Sequence, residues 1–439
     1  MVRNTTSRAV RTYKAMKHPS YNTLLTIAAC LSAAAAMPSH AVEYRANNTG
    51  FWDVGTNWEG NVKPTGFARV SNGTRNNSII TLRTVESLVG GGSVGRFIFG
   101  QGGTGSSLTI VSGGSLTTDG TTAHRIGQTT AFTLTLEDGG SLNVPNSQVT
   151  SAAASTFTAT GGFASFGRSY NLSAGSVMNL SGSADINVAQ ALTFDNSSLT
   201  ISDSVDLDVG GGLTLTSGST ASLQGGTLRV NAINNAGNTF NWGEGTLTVH
   251  SNNASGTTDR SSPGFGSVYE GTSLTVSGDI TTSGAQDSTL DLGSLFINSG
   301  VRYNQLSVTG ALDLNGSDDQ LNFDINPYFL RPNVGLAQDS GSLTLVEAGT
   351  LSGAFETFGT VLQDNIGWSE FTGTFNPGDT GADLPVNTYY LETTTGAGGS
   401  IVFHYKVSGS VPEPGTAGLA LLGILLVRSL RDTRRKSRS

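Results

Sequence analysis

"SLTIVSGGSLTT", residues Ser107–Thr118, returns 26 residues later as "TLTLEDGGSLNV", Thr133–Val144. Each copy is two short runs of alternating apolar and polar residues around a Gly-Gly turn. Alternation at period two marks a strand with one buried face, and glycine gives the turn its backbone freedom. Leu134, Leu136, Leu142 and Val144 therefore share an interior, with Thr, Ser and Asn on the other side. Looser copies follow in "NLSAGSVMNLSG", "LTFDNSSLTISD" and "LTLTSGSTASLQGGTLRV", and "GGTLRV" (Gly225–Val230) is echoed 19 residues on by "EGTLTV" (Glu244–Val249). A recurrence of about 20–26 residues in strand-forming sequence predicts a solenoid, because one such turn cannot bury its apolar face alone. A sandwich or several small β-domains would tolerate the irregular period better. The expectation adopted is an all-β, Gly-rich, right-handed parallel β-solenoid over residues 90–250.

Outward from that core, residues 42–89 read as an N-terminal capping β region. "FWDVGTNWEGNVKP" sets Trp52 and Trp58 around Gly55, and solenoid ends need their open core covered. The same two rings offer an alternative use in stacking on sugars. Residues 251–394 have longer strands and more aromatic and acidic residues, as in "YNQLSVTGALDLNGSDDQLNFDI". They read as a C-terminal β region, either a separate domain or the last coils and their cap. Residues 395–410, rich in Gly and Ser, read as a linker.

Glycine is 59 of 439 residues and charged residues only 13%, a composition of strands and turns rather than of charged helices. The net charge of −8 hides an asymmetry. Basic residues without acids lie at Arg3, Arg8, Arg11, Lys14 and Lys17, and a second cluster lies at Arg428, Arg431, Arg434, Arg435, Lys436 and Arg438. The body between them is strongly acidic, which argues against nucleic acid as a partner, since phosphate binding needs a basic surface.

The basic start, the apolar run Leu24–Met37 and "PSHA" before Val42 form a secretory signal, with cleavage by signal peptidase expected between Ala41 and Val42. Cys30, in "IAAC", has the look of a lipoprotein box, but the apolar run continues past it, so it is expected to leave with the signal. The other end, residues 411–439, joins Val411, Pro412, Glu413 and Pro414 to an uncharged run from Gly415 to Val427 and then to the arginines. A helix over about 415–430 is short for a ~30 Å bilayer core, so it spans marginally. The basic end, 428–438, acts as a cytoplasmic stop, and the prolines keep the preceding motif extended and accessible.

"VPEPGTAGLALLGILLVRSLRDTRRKSRS" resembles the PEP-CTERM sorting tail of Gram-negative bacteria that make extracellular matrix. The resemblance implies an exosortase, an integral-membrane cysteine protease, that recognises Pro412, Glu413 and Pro414 and processes the tail. It implies an exported chain held in the inner membrane by its C-terminal helix before it reaches the cell surface or the extracellular space. The Gly-rich repeats likewise resemble the passenger-like β-strand repeats associated with autotransporters, a likeness that bears on fold alone.

For chemistry there is little. His124, His250 and His404 are far apart in sequence, with no cysteine to complete a zinc site. "GGSVG" places Ser93 in a G-x-S-x-G pattern, which needs a strand-to-helix turn of an α/β fold to be a nucleophile elbow. "DSVDLDVGGG" sets Asp206 and Asp208 on one strand face, with Asp203 just before them and Asp185 one repeat back, a weak calcium candidate. Polysaccharide lyases on parallel β-helices add a basic residue to such a group, and none occurs between Arg168 and Arg229. Asp318 and Asp319 read as loop residues. The expected function is therefore a non-enzymatic surface or matrix protein needing no cofactor. A carbohydrate-binding adhesin meeting extracellular polysaccharide is the alternative, and a β-helix lyase or hydrolase a more remote one.

Overall fold

The computed structural model describes residues 42–406 except 46–47, 71–76, 91–94, 103, 250–272, 283–287, 298–300, 304, 315–318, 326–339 and 363–368. The described chain is all-β and its sheets are mainly parallel, compatible with a β-solenoid. Three ladders are visited in turn. The first runs through Phe97–Phe99, His124–Ile126, Val149–Ser151, Tyr170–Ser173 and Leu192–Asp195. The second runs through Ser106–Ile110, Phe132–Leu136, Thr156–Ala159 and Val177–Leu180. The third runs through Ser115–Thr118, Ser141–Val144, Phe163–Phe166 and Asp185–Val188.

The register follows the sequence repeat. Ser141 lies opposite Ser115, and Leu142 lies over Leu116, so the two Gly-Gly-Ser-Leu phrases are successive rungs of one ladder. Upward from there Ala164, Ile186, Leu207, Leu228, Leu247, Leu290 and Leu321 continue the same inward column, each at most 1% exposed. Each fully buried leucine contributes about 1.5–3 kcal/mol relative to an exposed one, so the core is a continuous thread of small equal increments. Period-two alternation is what keeps the column apolar, since a slip of one residue would turn every side chain outward.

Between Ser198 and Val249 the second and third ladders share single bent strands. Ser198–Val209 pairs through Ser198–Ile201 with one ladder and through Asp206–Val209 with the other, with a register shift between Asp203 and Asp206. One coil later, in Thr220–Val230, the bend falls at Gly225 and Gly226. Gly226 has φ +68°, and a Cβ there would stand 2.4 Å from the Val205 carbonyl oxygen of the coil beneath. Rungs only ~4.8 Å apart leave no room for a side chain at such a corner.

Parallel pairing extends beyond both boundaries expected for the solenoid. Val42–Glu43 already pairs with Ala68–Val70, and Thr49–Phe51 with Ile79–Leu82, so the N-terminal region contributes rungs of its own. Within it Trp52 and Trp58 are completely buried, as the capping role expects, and neither ring is available to stack on a sugar. Past residue 250, Ser288–Ile297 stacks on Thr239–Val249, Gln320–Ile325 on Ser288–Ile297, and Ser340–Gly353 on Gln305–Leu314. The C-terminal β region therefore supplies the last coils rather than a separate domain.

The expected linker is also corrected. Gly396–Ala397 and Ser400–Lys406 are strands, antiparallel to Ser340–Gly353, and Thr388–Thr394 pairs antiparallel with Ser400–Lys406. Ile401, Phe403 and Tyr405 are buried, which ties the segment to the core. Among the described residues no helix is long and apolar enough to cross a membrane. The helix expected at about 415–430 lies outside the described residues.

Candidate functional site

Many residues singled out in the sequence lie outside the described residues: Cys30, Ala41, Ser93, His250, Asp318, Val411, Pro412, Glu413, Pro414 and the basic stop Arg428, Arg431, Arg434, Arg435, Lys436 and Arg438. Val42 is described and begins the first strand, with Val42 opposite Ala68. Asp319 is fully buried and accepts a hydrogen bond from Thr282 Oγ1 at 2.9 Å, so it serves the core rather than an open loop.

The aspartates on the third ladder do not converge as calcium ligands. Asp203 sits at φ +58° in the bend, where its Oδ2 accepts from the Gly182 N–H at 2.9 Å. Asp206 lies opposite Asp185 and Asp208 opposite Asn187, so the expected stacking of Asp185 is found. Among the described residues no group of three or more His, Cys, Asp or Glu side chains is placed to hold a metal.

The missing base is supplied by the next coil. Arg229 lies opposite Asp208 in the ladder, and its Nη1 is hydrogen-bonded to Asp206 Oδ1 as an ion pair. Partial burial alone would lower the guanidinium pKa. The hydrogen bond it donates to Asp206 and the charges of Asp206, Asp208 and Asp291 outweigh that and hold it above its ordinary value. Such a cation is a fixed charge, not a proton acceptor, so it neutralises the aspartates instead of abstracting a proton. Arg229→Met is expected to cost about 1 kcal/mol, because the pair is about one-third exposed and screened. Urea melts at low and high salt check this. The loss should shrink in high salt, and a salt-independent loss would mean that lost packing, not charge, dominates.

Two histidines have defined partners. His124 is fully buried on an inward position of the first ladder, where its Nδ1 accepts from the Phe97 N–H at 3.2 Å. Its Nε2 then carries the proton and faces Thr118 Oγ1 at 3.2 Å. Burial first, and the neighbouring Arg96 charge second, push its pKa down to about 3.

His404 has a different setting. Its Nδ1 lies 2.7 Å from Ser342 Oγ and its Nε2 3.0 Å from Glu392 Oε2. Ser342 is directly opposite His404 on one side, and Tyr390 is directly opposite it on the other. Glu392 falls two residues beyond Tyr390 and so on the same face. The imidazole is on the side away from Phe403 and Tyr405, yet only 5% exposed, because the Phe375 ring covers it at 4.7 Å. Sequence reading found His404 but not its companions. Ser342 is 62 residues away, and only the antiparallel pairing of two strands in the segment expected to be domain and linker brings them together.

Exposed aromatic rings form no row among the described residues: the large exposed hydrophobic side chains include the separate rings Phe51 and Phe163. Compared with known proteins, the chain matches no protein-family pattern, no curated protein and no solved structure.

Proposed function

We propose that this chain is an exported cell-surface or extracellular-matrix protein of a Gram-negative bacterium. Its body, a right-handed β-solenoid on this reading, is delivered by a signal peptide cut between Ala41 and Val42. Its tail carries Val411-Pro412-Glu413-Pro414, a short membrane helix and an arginine stop, and is sorted and cut by an exosortase. The observation that supports the reading best is that the first described strand begins at Val42, the residue expected to start the mature chain, and pairs at once with Ala68. The last described strand ends at Lys406, shortly before the motif. The scattering of exposed aromatic rings favours a scaffold over a sugar-binding face.

Terminal-peptide mass spectrometry on fractionated protein from the native host tests this. The expected mature chain starts at Val42 and lacks Arg434 and Arg435. A Pro412→Ala/Glu413→Ala/Pro414→Ala variant should keep them and accumulate in the membrane fraction. Identical termini and fractionation for both forms would reduce the tail to a plain anchor.

A further inference from the structure

A carboxylate accepts hydrogen bonds and cannot donate them, so the contact between Glu392 and His404 places the imidazole proton on Nε2. The opposite nitrogen, Nδ1, is then an acceptor, and the hydroxyl 2.7 Å from it, Ser342 Oγ, is the donor. The arrangement is directional: an exposed serine, a shielded imidazole with its free lone pair on that serine, and a carboxylate that fixes the tautomer. Nucleophile, base and orienting group within hydrogen-bond reach are the recognisable parts of an activated serine, whatever their sequence order. Here the ring nitrogens are used in the reverse sense from the usual one, with the serine on Nδ1, which leaves the proton logic unchanged.

We infer that Ser342, His404 and Glu392 form a nucleophilic site that takes an acyl group from small esters. As Ser342 Oγ bonds to the ester carbonyl carbon, its proton moves to His404 Nδ1. The imidazolium is stabilised by Glu392, then returns that proton to the departing alcohol oxygen as the C–O bond breaks. Acyl-Ser342 and a free alcohol remain. Water, deprotonated by the same nitrogen, attacks the acyl carbon, releases the carboxylic acid and restores the serine. Because Ser342 stands on an exposed strand, the acyl group must be small and project from its carrier, as an O-acetyl group does. Half-buried Phe375 and Tyr390, their rings stacked at 4.5 Å beside the imidazole, give that group an apolar flank. The inference goes beyond the sorting reading, which assigns the body no chemistry, and stands independently of it.

The test uses the folded full chain, a fluorophosphonate probe and p-nitrophenyl acetate, with peptide mass spectrometry to locate adducts. The expected result is a single adduct on Ser342 and release of p-nitrophenol that falls about 100-fold in Ser342→Ala, within the usual reach of general-base assistance. Ser342 is exposed, so an unchanged melting temperature separates lost chemistry from lost fold. Glu392→Gln, a change to a positioning residue, should slow acylation at least about tenfold and alter its pH profile, since the amide no longer dictates the tautomer. Wild-type protein with no adduct on Ser342, or with adducts spread over many serines, overturns the inference. So does a Ser342→Ala variant that releases p-nitrophenol at the wild-type rate.

Discussion

Trp58→Ala is expected to lower stability by about 3–5 kcal/mol, the range for removing a large buried aromatic side chain. Trp58 is completely buried and sits edge-on to Trp52 at 4.8 Å and to Tyr44 at 5.0 Å. Its indole Nε1 also donates to the Trp52 carbonyl at 2.8 Å. The first coil has no coil before it in the described ladders, so these three rings close the end of the apolar column. In a stack held by nearest-neighbour contacts, the damage should begin at that end and spread inward. Denaturant unfolding followed by far-UV circular dichroism measures the loss. Hydrogen exchange should show Thr49–Phe51 and Ile79–Leu82 opening first, whereas Trp58→Phe should recover much of the difference. A shift below about 1 kcal/mol would mean that the ring cluster does not close the column.

The second large effect is acid sensitivity centred on His124. Its pKa is pushed down to about 3, against an ordinary value of 6.5. Between those values the unfolded chain holds a proton that the folded chain does not, so stability rises with pH there and is complete above the upper one. As the medium is acidified through that window, this one group should remove about 1.4 kcal/mol per pH unit. His124→Leu removes the titration. It will be weaker at neutral pH, because the Phe97 N–H and Thr118 lose a partner, but its stability should depend less steeply on pH by about one proton. Urea midpoints for both proteins across mildly acidic pH decide it. Parallel curves would show that His124 does not control the acid limb.

The parts of this architecture legible in the sequence were those with a short, even repeat. Leu142 over Leu116 and Leu247 over Leu228 follow from phrases only one coil apart. Beyond Val249 the pairing takes much longer steps, with Asn241 opposite Thr281 and Leu306 opposite Val346, so the same ladders persist while the recurrence vanishes from view. The Gly-rich stretch after residue 395 suggested a linker for a physical reason. Gly396 and Gly398 do take left-handed φ of +99° and +67°, but in a tight reversal between strands instead of an extended tether. Asp206 and Arg229 belong to successive coils, so their ion pair needed the register before it was visible. The Ser342–His404–Glu392 row depends on antiparallel pairing, which no period announces.

That antiparallel ending bears on how copies of the molecule meet. A coil of parallel rungs leaves unpaired N–H and C=O groups on its final strand, a template on which an identical chain can continue as a fibre. Here Ser400–Lys406 and Gly396–Ala397 occupy that edge of Ser340–Gly353 with the chain running the opposite way. A second copy would arrive in the wrong direction to extend the parallel pattern of those two ladders. The antiparallel hairpin thus closes those two ladders to further parallel rungs at this end of the described stack.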